Sequence, residues 1–218
     1  MNTEWNTNHA LLVGEALEEP AFSHASHGED FFLVPVQSLR LSGTADVLNV
    51  LLPRTLLEQC PVRAGERVRL EGEVRSYNNR SGVGHRLVIT LLAQSVTWDA
   101  TGADDNRVTL AGALCRRAVY RRTPLGREIA DVMLAVNRRY GRADYLPCIA
   151  WGSIAQKCSQ LEVGTLLRLG GRLQSRAYTK VTEDGPVNKT AYEVSIMTLA
   201  LGDAAAEDAS WPPKTCKN

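Results

Sequence analysis

The sequence is short of the residues on which most enzymatic chemistry depends. Only four of its 218 residues are histidine, and all of them, His9, His24, His27 and His85, precede residue 104. A Ser-His or Cys-His nucleophile pair therefore cannot form within the stretch that follows. No P-loop, GxGxxG or GxSxG pattern occurs, so no cofactor is expected and the chain reads as a non-enzyme. The five cysteines, Cys60, Cys115, Cys148, Cys158 and Cys216, are odd in number, scattered and free of any CxxC spacing. They read as reduced thiols. His24 and His27 stand near Glu29 and Asp30 in a Ser/Gly-rich stretch, with no cysteine motif beside them. That arrangement reads as solvated, and no metal is expected. No run approaches the ~18 apolar residues of a membrane helix. The start, Met-Asn-Thr-Glu-Trp-Asn, has neither a basic region nor an apolar one, so the expected setting is cytoplasmic, away from membranes.

What is present is ordinary globular material, 44% hydrophobic and 22% charged, with a net charge of +1. Within it lies a duplication at an offset of 98. Asn8-His-Ala-Leu-Leu-Val-Gly14 overlies Asn106-Arg-Val-Thr-Leu-Ala-Gly112, and Ala45-Asp46-Val47-Leu48 overlies Ala143-Asp144-Tyr145-Leu146. Leu56–Cys60 overlies Ile154–Cys158; after a slip of one residue, Arg69-Leu-Glu-Gly72 overlies Arg168-Leu-Gly-Gly171. The expected organisation is two copies of one domain, 1–103 and 104–201, followed by a loosely ordered tail, 202–218. The stretch Trp98–Asp105 is small, polar and suited to a linker.

Each copy reads mostly as strand. In the second, Val108–Leu114 and Glu128–Val136 are apolar-rich runs. Asp144–Trp151 alternates Leu146, Cys148 and Ala150 with Tyr145, Pro147, Ile149 and Trp151. Ser153 is placed to cap a short helix, Ile154–Gln160, with Ile154, Cys158 and Leu161 on one face. Gly164 opens a strand from Leu166 past the Gly170-Gly171 pair, and Thr190–Leu199 supplies the last strand. Three strands, a short helix and two strands is the order of a five-stranded Greek-key barrel, the OB-fold. The expected fold is thus all-β, two tandem OB barrels, each with a short helix between its third and fourth strands.

The near-neutral total hides an asymmetry. Residues 1–103 hold 8 Lys/Arg against 12 Asp/Glu, a net −4; residues 104–201 hold 15 against 9, a net +6. Aromatic residues divide the same way. The second copy carries Tyr140, Tyr145, Trp151 and Tyr178, close in sequence to Arg138, Arg139, Arg142, Arg176 and Lys180. The aligned positions in the first copy are Ser42, Val47, Pro53 and Asn79. Rings on a strand face beside a cationic rim suit sequence-tolerant binding of single strands, at about 1–3 kcal/mol per stacked base. An aromatic on a strand is more often packing, but here rings and positive charge are missing together from the other copy. The second copy is therefore assigned the nucleic-acid surface and the first an assembly role.

The runs Glu128–Tyr140, Ala143–Gln156 and Leu169–Tyr178 resemble the bacterial single-stranded DNA-binding proteins. The likeness extends from Asn106 to about Leu201; over the first copy it rests mainly on the duplication. In that family an OB-fold stacks DNA bases on aromatics at set positions. The resemblance places those positions at Tyr140, closing the second strand, Tyr145, opening the third, Trp151, and Tyr178. It also assigns Arg121, Arg122 and Arg176 to phosphate contact. Members usually carry one domain and form tetramers; two-domain relatives dimerise to present four, which implies a homodimer here. The family's acidic tail tip has no counterpart in Trp211–Asn218. The roles implied are DNA replication, recombination or repair. The alternative from a different class is a tandem-OB adaptor that binds a replication or primosome protein rather than DNA, which the acidic first copy keeps open.

Overall fold

The structure is a computed structural model that describes residues 8–79, 87–138, 141–182 and 185–202. In the first copy the elements are β1 (Asn8–Ala16), β2 (Ala21–Ser26), β3 (Glu29–Leu39), β4 (Ala45–Pro53), α1 (Arg54–Gln59), β5 (Arg67–Asn78) and β6 (Leu87–Trp98). The second repeats them as β7 (Asp105–Leu114), β8 (Val119–Arg122), β9 (Glu128–Asn137), β10 (Ala143–Trp151), α2 (Gly152–Ser159), β11 (Leu166–Thr182) and β12 (Gly185–Leu201).

Strand pairing closes each copy on itself. β3 runs antiparallel to β4, β4 parallel to β6 at Val50–Leu91, β6 antiparallel to β5, and β5 antiparallel to β1. β1 then returns to β3 at Glu15–Gln37. The second ring follows the same path, with β10 parallel to β12 at Cys148–Val194 and β7 returning to β9 at Ala113–Ala135. One parallel contact in an otherwise antiparallel five-stranded ring, with a helix after the third barrel strand, is the OB topology. The fold is all-β, as expected.

The period-2 alternation of the strands fills the interiors. In β4 the inward residues are Asp46, Leu48, Val50 and Leu52; in β10 they are Asp144, Leu146, Cys148 and Ala150, and every one is buried. Barrel closure also needs a residue without a side chain. A Cβ on Gly14 would lie 2.0 Å from the Gln37 carbonyl oxygen, and one on Gly112 would lie 2.3 Å from that of Ala135. These two glycines are 98 positions apart, so the duplication recurs as one steric demand met twice.

Three features differ from the expectations. Each copy carries an additional short strand, β2 or β8, forming a ribbon with β3 or β9. Ser153 does not cap α2: the helix starts at Gly152 and no side chain caps it; of the expected face Cys158 is buried, together with Ala155, whereas Ile154 and Leu161 are half-buried. The last two strands are longer than foreseen, because β11 and β12 extend into a hairpin reaching Thr182 and Gly185.

The chain forms two compact units that do not follow chain order. One consists of Ala10–Arg107 and Leu173–Glu193, so the hairpin arm clusters with the first barrel. The other is built on Val108–Arg172 and the chain from Val194. The expected linker is held inside the former unit. The Arg67 guanidinium reaches Asp104 at 2.6 Å and Asp99 at 3.5 Å, and Asp104 also accepts the Leu39 N–H. The Thr101 hydroxyl, donating to Asp99, is the main reason that this carboxyl sits below the usual range.

Candidate nucleic-acid interface

In the unit built on Val108–Arg172, β10 presents Tyr145, Pro147, Ile149 and Trp151 away from the barrel interior. Tyr145 is half-buried, and Trp151 keeps 40% of its surface open. Six residues at about 3.3 Å each set the two rings roughly 20 Å apart along one strand face. Register extends the face sideways. Trp151 pairs with Ile129, which pairs with Arg121; Ile149 pairs with Asp131, which pairs with Val119. An indole, the buried Ile129 and a guanidinium therefore lie in register across three strands, beside a second row in which Asp131 stands between Val119 and the buried Ile149. Arg121 is exposed and its bridge to Asp131, at 2.9 Å, joins two half-exposed groups. Such a surface pair is weak, which leaves the guanidinium available to compete for a phosphate oxygen.

Arg122, one residue on, points the other way, as strand alternation requires. It bridges Glu128 at 3.1 Å, and Gln156 on α2 donates to the same carboxylate at 2.6 Å. The Tyr120 hydroxyl joins this cluster. Its hydrogen bond to Glu128 holds that carboxyl below its ordinary range and pushes the tyrosine up. Arg121 thus shares the Trp151 face, whereas Arg122 belongs to a cluster against the helix.

Arg138 is likewise committed. Its Nε donates to Asp144 at 2.6 Å, and its NH2 group donates to the other carboxylate oxygen of the same side chain. Asp144 is fully buried, so Arg138 acts first as the counter-charge to an interior carboxylate. Arg142 is exposed just before β10, its carbonyl accepting the Arg138 N–H across the turn. Arg139 and Tyr140 lie outside the described residues, as does the tail beyond residue 202.

Arg176 and Tyr178 lie on the hairpin arm and belong to the other unit. The Arg176 guanidinium carbon stands 5.9 Å from the Tyr178 ring centroid, within cation–π range, and its Nε is 3.7 Å from Glu193. Tyr178 is half-buried and Arg176 exposed. The side chain of Lys180 is not among those described.

Sequence reasoning passed over Arg116, Arg117, Val119 and Tyr120, all exposed on or just before β8. The signal was legible as a doublet, Arg116-Arg117, followed four residues later by Arg121-Arg122. In the first copy it also passed over all three phenylalanines, which gather on the β2–β3 ribbon. Phe22 meets Phe32 edge to face at 6.0 Å, and His24 stacks on Phe31 at 5.0 Å. The acids near His24 and His27 are engaged otherwise, Asp30 with Arg54 at 2.6 Å and Glu29 with the Thr55 N–H. Among the described residues, no cluster of three or more His, Cys, Asp or Glu side chains is placed to hold a metal.

The second copy is thus a five-stranded OB barrel with two aromatic rings and a guanidinium on one sheet face, an arrangement shared with oligonucleotide-binding modules. In the comparison with known proteins, residues 105–201 match the model of the Single-strand binding protein family. The Single-stranded DNA-binding protein of Halalkalibacterium halodurans is 38% identical over 80 residues, 34% of this chain and 48% of that protein. That of Bacillus cereus is 33% identical over 103 residues, 44% of this chain and 58% of that protein. The chain spans about half the length of these curated relatives. The crystal structure of the wild-type single-stranded DNA binding protein from Thermus aquaticus superposes with a TM-score of 0.73 at 21% identity, covering 90% of this chain and 93% of that one. This last likeness concerns the fold and spans both copies. The family and the relatives are named as binding proteins. No helix among the described residues is long and apolar enough to cross a membrane.

Proposed function

We propose that the chain binds single-stranded DNA with little sequence preference, chiefly through the outward face of β10. The observation that carries this reading is the register row Trp151, Ile129 and Arg121, which puts a part-exposed indole and an exposed guanidinium on one sheet face, two strands apart. Tyr145 offers a second stacking position, and Arg142, Arg116 and Arg117 add positive potential at the face's surroundings. Tyr178 with Arg176 serves as a further contact on the arm, and Tyr140 with Arg139 completes the set carried over from the family. Arg122 and Arg138 contribute positive field while holding their carboxylates.

Stacking tolerates every base because each offers a π-face, whereas a paired duplex hides those faces. The residues 1–103, net −4, act in assembly, with a homodimer presenting four barrels. The cellular setting is DNA replication, recombination or repair in the cytoplasm, in contact with other replication proteins. One observation favours the adaptor as a second reading: Phe22, 62% exposed, lies on the acidic copy and suits a protein partner.

The test is fluorescence anisotropy with labelled oligo-dT and a matched duplex. Preference for the single strand, with a combined loss in Tyr145→Ala/Trp151→Ala, supports the reading. Equal affinity for both ligands, or an unchanged double variant, rejects it.

A further inference from the structure

The hairpin arm Leu173–Glu193 is built into the unit of Ala10–Arg107 by hydrogen bonds that converge on the start of β4. Asp46 is 1% exposed, and its Oδ1 accepts the Ser175 N–H at 2.9 Å. In return, the Ser175 hydroxyl accepts the Val47 N–H at 3.0 Å. β6 pairs with β4 at Val50 and Leu51, so the first residues of β4 have an open edge, and this N–H would otherwise lack a strand partner. Arg40 holds Asp46 from the other side at 2.6 and 2.7 Å. Further along β4, the Asn49 side chain bonds the Tyr192 hydroxyl. At the foot of the arm, the Asn106 amide exchanges two hydrogen bonds with the Leu173 backbone, at 2.7 and 3.1 Å.

Val47 and Asn49 are the counterparts of Tyr145 and Pro147. The strand end that displays an aromatic in one copy is used in the other to grip the arm. Ser175 immediately precedes Arg176, and alternation turns Ser175 toward one side of the ribbon and Arg176 and Tyr178 toward the other.

We propose that Asp46 and Ser175 are positioning residues for DNA binding: they hold the arm so that the Arg176–Tyr178 pair is presented to a single strand. The proposal rests on the functional reading above. It assigns to the copy lacking the aromatic set a part in recognition that involves no base contact of its own.

The experiment measures oligo-dT affinity of the full chain for Ser175→Ala, Ser175→Thr, Tyr192→Phe, Tyr178→Ala and the Ser175→Ala/Tyr178→Ala pair. One lost hydrogen bond of about 0.5–1.5 kcal/mol corresponds to a loss of roughly 2- to 12-fold. The expected results are that fall in Ser175→Ala, recovery in Ser175→Thr, which keeps the hydroxyl, and no further loss on adding Ser175→Ala to Tyr178→Ala. Tyr192→Phe repeats the fall through an independent contact, so misfolding of one variant does not decide the matter. Unchanged affinity in Ser175→Ala and Tyr192→Phe, or strictly additive losses with Tyr178→Ala, overturns the positioning role. A wild-type chain that ignores oligo-dT overturns the functional reading instead.

Discussion

The Arg138 guanidinium grips the Asp144 carboxylate with two nitrogens, and Asp144 has no exposed surface. Arg40 and Asp46 repeat the pair 98 residues earlier, with Asp46 1% exposed. In both copies the arginine closes a turn into the third barrel strand, and the acid is the strand's first inward residue. A recurrent pair of this kind is a device of the barrel before it is a feature of the ligand surface.

Arg138→Ala is therefore expected to act on stability. Removing the guanidinium takes the counter-charge from a fully buried carboxylate, and breaking a buried pair in this way costs about 3–5 kcal/mol. Urea denaturation should show a clear fall in midpoint. An unchanged midpoint with weakened DNA binding would return Arg138 to the ligand surface.

Arg121→Ala should show the reverse pattern. Its bridge to Asp131 is exposed, so stability should change by less than about 1 kcal/mol. Loss of one phosphate contact should flatten the dependence of log affinity on log salt by about 0.7. A salt slope identical to wild type would remove Arg121 from the contact set.

Gly14→Ala and Gly112→Ala should each destabilise the fold, because the new methyl would meet a carbonyl oxygen of the facing strand at 2.0 or 2.3 Å. Backbone displacement of this sort costs at least about 1–3 kcal/mol. Thermal or urea melts check this, and an unshifted transition in either variant would contradict the closure argument.

Burial pushes the Tyr192 hydroxyl above its ordinary pKa, against a smaller opposing effect of the Asn49 hydrogen bond. The folded state thus favours the neutral phenol. Its contribution is full below the unfolded value of about 10 and is lost as pH rises through the higher folded value. Stability measured from pH 9 upward should fall in wild type and fall less in Tyr192→Phe. Parallel curves would show that Tyr192 is not the titrating group.

Several of these elements could be read from the sequence, and the reasons differ. The barrel strands were legible because Leu146, Cys148 and Ala150 alternate with outward residues over a half-buried stretch. β8 was not, because Val119–Arg122 is exposed on both faces and leaves no period-2 trace. The outward placement of Trp151 followed from alternation alone. The separation of Arg121 from Arg122 follows from the same rule once β8 is seen to be a strand. The commitment of Arg138 to Asp144 was hidden because a six-residue spacing across a turn has no local periodicity. The clustering of Leu173–Glu193 with the first barrel was hidden more deeply: Ser175 and Asp46 are 129 positions apart, and each reads locally as an ordinary polar residue.

The most direct measurement follows the indole of Trp151 itself. Replacing Trp5, Trp98 and Trp211 with phenylalanine leaves it as the sole tryptophan, and oligo-dT is then titrated in while binding is followed independently by anisotropy. Quenching that saturates together with the anisotropy change is the predicted result, since a base stacked on the ring shares its excited state. Full binding with the indole emission unaltered would contradict the placement of DNA on this face.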